Sequence, residues 1–509
     1  MNNARQLKAG IFLSYLTLAL SNIIALVYTP FMLRMMGQSE YGLYSLVASV
    51  VAYLTILDFG FGNAIVRYTA KYRAENKIEE QYSLFGMFLL LYLGIGIFSL
   101  IVGMGLYLNV DVLFNNSMTA EELRKAHIMV LLLVFNVAIT FPFSIFPSIV
   151  QAYENFIFHK IVNLGRVLLQ PCLMVPLLLM GYKAIGMVVL TTILNVATLL
   201  VYCWYCFSYL KIKFNFKHFN GSLLKEISHY SFFVFLTIIV DRAFWSTGQF
   251  ILGILNGTKD VAVYSLVVQL CTYYMSFSLA ISGVFLPKMT HLVAEKKPIK
   301  EISGMFIKVS RIQYIVMLYI LVGFALFGNV FVSYWAGAGY ENVYPLTLLI
   351  MIPQTIPLIQ NVGISILQAQ NRQKFRAVLN FIIGVLSVLM GYLLTKKYGI
   401  IGCAISTSLA LLLGHGFILN WYYYIRIKLD ILLFWKQVLK LSVPACLAAI
   451  LVMIFKILVD SSSLLIVFVE GCMYSVFYFI LMWYLGCNEF ERNQIRVPLL
   501  NLRSKIGFK

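Results

Sequence analysis

Long apolar runs dominate this sequence and restrict its fold more than any other feature does. From about Gly10 to residue 486, such runs follow one another with only short polar stretches between them. A run of about 20 apolar residues can cross the ~30 Å hydrocarbon core of a membrane as a helix. Membrane β-barrels alternate apolar and polar residues instead, and these runs do not. The pattern therefore predicts an all-α polytopic membrane protein.

Composition agrees with this prediction. Of the 509 residues, 61% are apolar and 12% are charged, whereas a water-soluble chain of this length would need a far more polar surface. The runs predict about 14 transmembrane helices. They lie near residues 10–33, 41–65, 82–108, 126–150, 161–181, 185–209, 230–255, 261–286, 306–329, 343–367, 377–395, 400–424, 438–459 and 464–486.

Basic residues are distributed unevenly between the two sides of the membrane. Most of the 39 Lys and Arg residues fall at the N-terminus, in alternate loops and in the tail after residue 487. Basic loops tend to stay in the cytoplasm, so both termini are predicted to be cytoplasmic. The net charge of +19 then comes from basic residues at the cytoplasmic membrane surface. It does not indicate a nucleic-acid partner. The opposite side receives Arg34, Arg124, Lys125, Lys183, Lys259, Lys396 and Lys397.

An internal repeat divides the chain into two similar parts. The stretch from Gly37 to Val47 recurs from Gly257 to Val267, keeping the glycine, an acid three residues later and the sequence Tyr-Ser-Leu-Val. Farther along, the stretch from Tyr182 to Thr191 is matched by that from Tyr398 to Thr407. Matches in the same order indicate two six-helix lobes. We expect the lobes to be related by a pseudo-twofold axis along the membrane normal, with a cavity between them.

The repeat and the run lengths predict five segments. They are an N-terminal six-helix lobe (1–209), a cytoplasmic linker (210–229), a C-terminal six-helix lobe (230–425), two extra C-terminal helices (426–486) and a cytoplasmic tail (487–509).

Prolines occupy corresponding spans of the two lobes. Pro142 and Pro147 lie in the fourth span, and Pro353 and Pro357 lie in the tenth. Each proline removes an intrahelical hydrogen bond and can bend a helix. We expect an interruption in both spans, which suits lobes that rock and is equally compatible with kinked packing without motion.

The first two spans contain motifs of a known family. The chain resembles the polysaccharide transporter family, the O-antigen, capsule and exopolysaccharide repeat-unit flippases of the multidrug/oligosaccharidyl-lipid/polysaccharide exporter (MOP) superfamily. The helix count and the order of two lobes and two extra helices extend the resemblance over the whole chain. The motifs are the opening helix Gly10–Pro30, Met36-Gly37-x-x-Glu40-Tyr41-Gly42-x-Tyr44, Leu57-Asp58-Phe59-Gly60-Phe61-Gly62-Asn63 and Arg67-Tyr68.

The resemblance implies a MATE-like fold and a transport activity. A protein of this family moves a polyprenyl-diphosphate-linked oligosaccharide from the cytoplasmic to the outer leaflet of the bacterial inner (plasma) membrane by alternating access. It does so for O-antigen (lipopolysaccharide), capsule or exopolysaccharide biosynthesis. The resemblance implies no enzyme activity and no cofactor. The expected partners are the lipid-linked oligosaccharide, membrane lipid and other glycan-assembly membrane proteins.

The seventh span carries the sharpest candidate for a substrate site, because a charge inside a span costs ~2.5–3.5 kcal/mol on insertion scales. Asp241 and Arg242 lie about halfway along it, and Arg242, Ser246 and Gln249 share one helix face. We interpret Arg242 as a diphosphate ligand, since its planar donor fork matches phosphate oxygens. Asp241 would tune Arg242 or carry a coupling cation. The alternative is that both residues only fix helix packing.

The first span has a polar stripe that predicts a second wall of the same site. Ser14, Thr17 and Ser21 follow helical spacing, and Ser21 and Asn22 occupy the positions equivalent to the Asp-Arg pair of the seventh span. Facing stripes would line a hydrated cavity. All four residues are therefore predicted to bind substrate.

Two further acids are candidates for ion coupling. Asp58 lies in the second span, ahead of two glycines, and its alternative role is an ion pair with Arg67. Glu470 lies in the last span, and its alternative role is an ion pair with Lys456 across the turn at 460–463.

Two basic residues are candidates for the entry of an anionic head group. Lys308 and Arg311 lie three residues apart at the predicted cytoplasmic start of the ninth span. They would draw the head group towards the cavity, or they would only anchor the helix at the positive side of the membrane.

Three other functions are compatible with this architecture. A cation-coupled multidrug extruder has a similar fold, but its cavity should favour acids, and here Arg242 accompanies Asp241. A membrane polymerase or ligase needs catalytic residues in a sizeable outer loop, and the longest, near 109–125, has no nucleophile–base or metal constellation. A passive scaffold for glycan assembly is the third. The eight cysteines lie in or beside apolar runs and predict neither a disulfide framework nor a metal site.

Overall fold

Helices account for all the regular structure that is described. The computed structural model of the protein describes residues 3–216, 221–370, 372–458, 464–494 and 496, and within these ranges it contains helices and no strand. Lipid offers no hydrogen-bond partners, so a spanning segment must satisfy its backbone groups internally, which a helix does. The predicted all-α membrane fold is confirmed.

In the described ranges that precede residue 256, the chain forms eleven α-helices. They are α1 (Asn3–Met36), α2 (Gln38–Ala52), α3 (Phe61–Ala74), α4 (Ile78–Leu108), α5 (Val110–Phe114), α6 (Ala120–Phe143), α7 (Ile145–Ala152), α8 (Phe156–Leu179), α9 (Ala184–Ser208), α10 (Gly221–Trp245) and α11 (Thr247–Leu255). A 3₁₀ segment, Tyr53–Asp58, follows α2 and precedes α3.

The remaining helices complete the described chain. They are α12 (Thr258–Ala294), α13 (Ile299–Trp335), α14 (Val343–Ile359), α15 (Asn361–Ala369), α16 (Gln373–Leu411), α17 (Leu419–Tyr422), α18 (Ile431–Leu439), α19 (Ser442–Leu458) and α20 (Leu464–Leu481). Three π-helical segments continue α16, α17 and α20, over Leu412–Ile418, Tyr423–Ile427 and Met482–Gly486.

The number of spans depends on how two irregular stretches are counted. Within the described ranges, 12 helices are long and apolar enough to cross a membrane, or 13 when the bent pair of α10 and α11 is one span. The stretch Lys374–Ile427 has 54 residues, and as one straight helix it would be about 81 Å long. A membrane core measures only ~30 Å. Two helices meet within this stretch across a kink at Gly399, whose φ is 59°, so it contains both predicted runs, 377–395 and 400–424.

Two of the proline-containing spans are interrupted where we expected. The fourth span changes from α6 to α7 at Ser144, two residues after Pro142. The tenth changes from α14 to α15 at Gln360, three residues after Pro357. The Ser144 hydroxyl donates to the Phe141 carbonyl at 2.7 Å, which satisfies a backbone group near the break.

The two copies of the repeated motif have equivalent backbones and lie side by side. Gly37 and Gly257 have φ angles of 81° and 96°, a conformation that favours glycine, and each directly precedes a helix, α2 and α12. A Cβ atom on Gly42 would lie 1.8 Å from the Thr258 carbonyl oxygen. The glycines of the repeat therefore serve two purposes, the start of a helix and a close approach between α2 and α12.

The chain divides into two compact units by its internal contacts. The first contains Met1–Ser265 and Asn380–Cys403, and the second contains Leu266–Leu379 and Ala404–Lys509. In the first, α3, α4, α7 and α9 bury an aromatic and aliphatic core that includes Phe85 and Ile149. In the second, Phe306 stacks on Phe434 with ring centroids 5.1 Å apart. The lobe boundaries derived from the repeat stay a prediction, and residues 497–509 of the predicted tail lie outside the described residues.

Candidate functional site

The seventh span bends next to its charged pair. The axes of α10 and α11 differ by 43°, and Ser246, with φ of −111°, lies at the break. The Ser246 N–H still donates to the Arg242 carbonyl at 2.9 Å. The bend therefore begins one turn after Arg242.

The Arg242 side chain is half-buried and contacts the 3₁₀ segment that follows α2. Its Nη2 donates to Thr55 Oγ1 at 3.1 Å, while the Thr55 hydroxyl donates to the Ala52 carbonyl at 2.6 Å. A guanidinium has five N–H donors. Among the described residues, the bond to Thr55 is the one hydrogen bond that the Arg242 side chain makes. Most of its donors are therefore available to a ligand.

A second contact joins the same two irregular segments. The hydroxyls of Tyr53 and Thr247 are hydrogen-bonded to each other, and Thr247 also donates to the Arg242 carbonyl at 3.4 Å. The non-α segment of the second span thus meets the bend of the seventh span. We refer to Arg242, Thr55, Tyr53 and Thr247 as the Arg242 site.

Asp58 lies at the end of the same 3₁₀ segment. Its carboxylate accepts a hydrogen bond from the Tyr92 hydroxyl on α4 at 3.0 Å. Phe59 and Gly60 follow in the left-handed region, with φ angles of 51° and 73°, and they end the segment before α3 begins. The structure therefore places Asp58 beside Tyr92. The 3₁₀ segment that contains Asp58 also contains Thr55, which accepts the hydrogen bond from Arg242.

The other predicted residues of the seventh span have different surroundings. Asp241 is exposed. Ser246 is buried at the bend, with 7% of its surface exposed. The Gln249 amide donates to Ser265 on α12 at 3.0 Å, and this bond occupies it in helix packing. Of the three residues predicted to share one face, Arg242, Ser246 and Gln249, we therefore keep Arg242 as the candidate hydrogen-bond donor to a ligand.

The polar stripe of the first span lies in α1. Ser14, Thr17, Ser21 and Asn22 are all half-buried. The Thr17 hydroxyl donates to the Leu13 carbonyl at 2.7 Å, so it is bonded to its own helix. α1 packs against α8 and α2. The contribution of this stripe to a substrate site stays a prediction.

Arg311 is placed differently from what the head-group interpretation requires. It is 6% exposed, and its Nε and Nη2 donate to the two carboxylate oxygens of Glu491 at 2.6 and 3.0 Å. Its Nη1 donates to the Gln437 carbonyl, and Nη2 also donates to the Gly486 carbonyl, both at 2.8 Å. Arg311 therefore connects α13 to the C-terminal part of the second unit, and we remove it from the candidate site.

Lys308 and Glu470 complete the predicted set. Lys308 is exposed, and its Nζ lies 5.1 Å from the centre of the Phe490 ring. Glu470 is fully buried in α20, and Lys456 is exposed in α19. The turn at 460–463 across which we predicted their ion pair lies outside the described residues.

One polar cluster of the first unit was not predicted. The Glu122 carboxylate accepts hydrogen bonds from Ser39 beside the start of α2 and from Thr258 at the start of α12, the latter at 2.7 Å. The same carboxylate caps α6 through the Thr119 N–H at 2.8 Å. We name Ser39, Glu122 and Thr258 the Glu122 junction. It joins the two copies of the repeat at one end of their spans.

Several residues of these sites escaped sequence analysis. Thr55, Tyr53, Thr247 and Tyr92 are ordinary polar residues inside apolar runs, and nothing in their spacing marks them. Glu122 carries one available signal, because Thr119-x-x-Glu122 is a capping-box pattern that the structure contains. That signal predicts the start of α6 but not the bond to Thr258.

Solved structures of two transporters share this fold. The lipid II flippase MurJ in an inward closed conformation superposes with a TM-score of 0.71 and 15% sequence identity, over 96% of this chain and 99% of its own. An inward-facing multidrug resistance MATE family transporter of the MOP superfamily superposes with a TM-score of 0.60 and 14% identity, over 81% of this chain and 99% of its own. At these identities the similarity shows the fold alone, and it confirms the predicted MATE-like architecture.

Comparison of the amino-acid sequence identifies the family more specifically than the shared fold does. A "Putative O-antigen transporter" of Shigella flexneri is 22% identical over 420 residues, which cover 80% of this chain and 94% of that protein. The profile of a family described as polysaccharide biosynthesis protein matches residues 7–293, more than half of the 509 residues. The resemblance carried by the motifs of the first two spans is therefore confirmed. This multi-span membrane protein belongs to the polysaccharide biosynthesis protein family.

Proposed function

We propose that the protein is a flippase that moves a polyprenyl-diphosphate-linked oligosaccharide from the cytoplasmic to the outer leaflet of the bacterial inner membrane. In this proposal both termini are cytoplasmic. The observation that carries it is Arg242, a charged residue inside a span whose side chain makes one hydrogen bond, to Thr55, among the described residues. The family description, the name of the Shigella flexneri relative and the fold shared with a lipid II flippase support the same substrate class.

Arg242 would bind the diphosphate. A charged side chain inside a membrane is costly, and such residues mark substrate or ion pathways. The unused guanidinium donors of Arg242 can form paired, charge-assisted hydrogen bonds to phosphate oxygens. Thr55 accepts a hydrogen bond from the guanidinium and positions it, and the bond between Tyr53 and Thr247 joins the 3₁₀ segment to α11. A ligand that brings negative charge would therefore compensate the charge of Arg242.

Asp241 and Asp58 would adjust this site. Asp241 is exposed next to Arg242, and we propose that it limits how tightly the diphosphate is held or that it exchanges a coupling cation. Asp58 is held by Tyr92 at the end of the 3₁₀ segment and is the second candidate for coupling. With a negative cytoplasm, export of each uncompensated negative charge gains roughly 2.3 kcal/mol per 100 mV. Transport that is indifferent to both the potential and ion gradients in proteoliposomes would exclude this coupling.

Alternating access would open and close the Glu122 junction. The junction joins the ends of α2, α6 and α12 through hydrogen bonds to one carboxylate. The orientation predicted from the basic loops puts these ends on the outer side. We propose that the junction closes the outer side while the head group binds and separates when the head group leaves.

The test of substrate recognition replaces Arg242 by alanine and follows flipping of a fluorescent polyprenyl-diphosphate oligosaccharide in proteoliposomes. Arg124→Ala is the matched control, because it removes the same charge from an exposed position on α6. We expect Arg242→Ala to stop flipping and Arg124→Ala to retain it. Equal rates in the two variants would remove Arg242 from the proposed site.

The test of alternating access locks the Glu122 junction. The Ser39 and Thr258 hydroxyl oxygens lie 3.4 Å apart, so cysteines at both positions should form a disulfide under oxidation. We expect the double variant Ser39→Cys/Thr258→Cys to lose transport when oxidised and to regain it in reductant. Each single cysteine variant is the control. Full transport by the cross-linked double variant would show that the junction does not separate.

A further inference from the structure

A largely apolar cavity of about 710 Å³ lies in the first unit. It is lined by the end of α2 and the 3₁₀ segment, and by parts of α4, α10, α11 and α16. Tyr53 and Thr247 contribute the hydroxyl groups of its wall, and these are bonded to each other. The other lining residues are Val50, Leu54, Ile56, Val102, Leu106, Ile239, Val240, Ala243, Phe250, Phe381, Gly384, Val385, Val388 and Leu389.

The cavity has a buried floor and an exposed rim. Val50 and Val240 on the floor are 6% and 5% exposed. On the rim, Val385 and Leu389 of α16 are 44% and 58% exposed, and Val102 of α4 is 42% exposed. These rim residues belong to candidate membrane spans, where exposed apolar side chains are suited to contact with hydrocarbon. A rim of this composition suits an opening towards lipid.

The cavity adjoins the Arg242 site. Thr55, which accepts the hydrogen bond from Arg242, lies in the chain between two lining residues, Leu54 and Ile56. Ala243, the neighbour of Arg242 on α10, lines the cavity as well. A cationic group with unused donors thus stands beside an apolar space whose rim suits an opening towards lipid. This combination matches a ligand with an anionic head joined to a hydrocarbon chain.

We propose that the cavity holds the head-proximal isoprene units of the substrate's polyprenyl chain while its diphosphate is bound at Arg242. This inference rests on the proposed function and adds a subsite for the chain. At ~30 Å³ for a water-sized group, a cavity of 710 Å³ accommodates about 24 such groups. That is enough for the first part of a long chain, and the remainder would stay in lipid through the open rim.

Apolar contact alone would not select this chain. Lipid tails are as apolar as the polyprenyl chain, so contact with the cavity wall does not distinguish one from the other. Selection therefore comes from the anionic head at Arg242, and the cavity contributes space for the chain that follows. A phospholipid tail can enter the same space, but its head group has a single phosphodiester and offers fewer oxygens to the guanidinium.

Gly384 provides a variant that fills the cavity. A Cβ atom on Gly384 would lie 3.5 Å from the Ala243 Cβ, an ordinary contact, so this position has space for a side chain. The control is Leu386→Phe, which adds a ring at an exposed position of α16 that does not line the cavity. The ring of Gly384→Phe would occupy the cavity. Val388→Phe blocks it from another position on α16 and serves if the first variant does not fold. Binding is measured on the purified full-length protein with a long-chain polyprenyl diphosphate, geranyl diphosphate and inorganic diphosphate.

The expected result is a loss of chain-length preference. The wild type and Leu386→Phe should bind the long-chain probe more tightly than geranyl diphosphate. Gly384→Phe should lose about tenfold in affinity for the long-chain probe, equivalent to ~1.4 kcal/mol. Its affinity for inorganic diphosphate should not change, which also shows that the variant is folded.

Two outcomes overturn the subsite. An unchanged preference for the long chain in both blocked variants would mean that the chain binds elsewhere. The proposed function would still stand in that case, provided that the wild type flips its substrate. Equal competition by phosphatidylglycerol would make the cavity a site for bulk lipid. Failure of the proposed function itself is a different result, in which the wild type neither binds the long-chain diphosphate nor transports it.

Discussion

Arg242 and Arg311 are both arginines inside membrane spans, and the structure uses them in opposite ways. Arg311 is buried and directs its donors to Glu491 and to two backbone carbonyls. Arg242 is half-buried and, among the described residues, uses one donor, on Thr55. The sequence treats both as candidates for an anionic head group. A packing role and a binding role therefore differ in how many hydrogen bonds the charged side chain already makes within the protein. The depth of the residue in the span does not separate the two roles.

The largest expected effect is on stability, in the variant Arg311→Ala. Removing one member of a buried ion pair leaves the other charged and unpaired, which costs about 3–5 kcal/mol. We expect Arg311→Ala to lower the stability of the detergent-solubilised protein by this amount, measured by denaturant unfolding. If stability is unchanged and only substrate binding is lost, Arg311 is a ligand residue and the comparison is wrong.

Arg242→Ala should have the opposite profile. It removes at least one charge-assisted hydrogen bond to the diphosphate, which contributes about 1.5–3 kcal/mol, so affinity for a polyprenyl diphosphate should fall by at least about 10- to 100-fold. Its stability should change little, because among the described residues the Arg242 side chain loses one hydrogen bond, to Thr55. Binding is measured by titration and stability by the same unfolding assay. A stability loss as large as that of Arg311→Ala would assign both arginines to packing.

Thr55→Val should lower the affinity for the diphosphate less than Arg242→Ala does. The substitution removes the hydrogen bond that Arg242 makes within the described part of the chain but leaves its charge, so the guanidinium loses orientation. A single hydrogen bond contributes about 0.5–1.5 kcal/mol, which predicts a decrease in diphosphate affinity of up to about tenfold. Thr198→Val on α9 is the matched control, since its hydroxyl is bonded to the Leu194 carbonyl of its own helix and lies outside the Arg242 site. Equal losses in the two variants would indicate general loosening of the protein.

The smallest effect is expected for Lys308→Ala, one turn from Arg311 on α13. Lys308 is exposed, so stability should stay within about 0.5 kcal/mol of the wild type. If Lys308 attracts the head group, the association rate should fall only modestly. The decrease should disappear at high salt, because long-range attraction between exposed charges is screened. A decrease that persists in high salt would instead indicate direct contact with the substrate.

The repeat shows how far sequence reasoning extends. The matched glycines Gly37 and Gly257 predicted two equivalent helix starts, and the structure gives them the same left-handed backbone. The number of spans was harder to predict. The runs 377–395 and 400–424, which we predicted as two spans, form one helical stretch with a kink at Gly399. Hydropathy reports where a helix is apolar, whereas a kink depends on one residue's dihedral angles.

The candidate site was predicted only in part. Arg242 and Asp58 were identified because a charge in an apolar run is costly and therefore conspicuous. Their partners Thr55 and Tyr92 lie 187 and 34 residues away in the chain, and no local pattern connects them. The four hydrogen bonds of the Arg311 side chain favour a packing role over the head-group role, and its acceptor Glu491 is 180 residues away in the chain, so no local pattern predicts the pair.

The helical membrane fold could be predicted from the amino-acid sequence, because lipid leaves backbone groups no partners outside the helix. That requirement acts on each span separately, so it is visible in local composition. The tertiary structure was needed to show which charged side chains already have partners, where two irregular segments meet around Arg242, and that an apolar cavity lies beside them. These features depend on distances between helices that are far apart in the chain, and hydropathy contains no information about such distances.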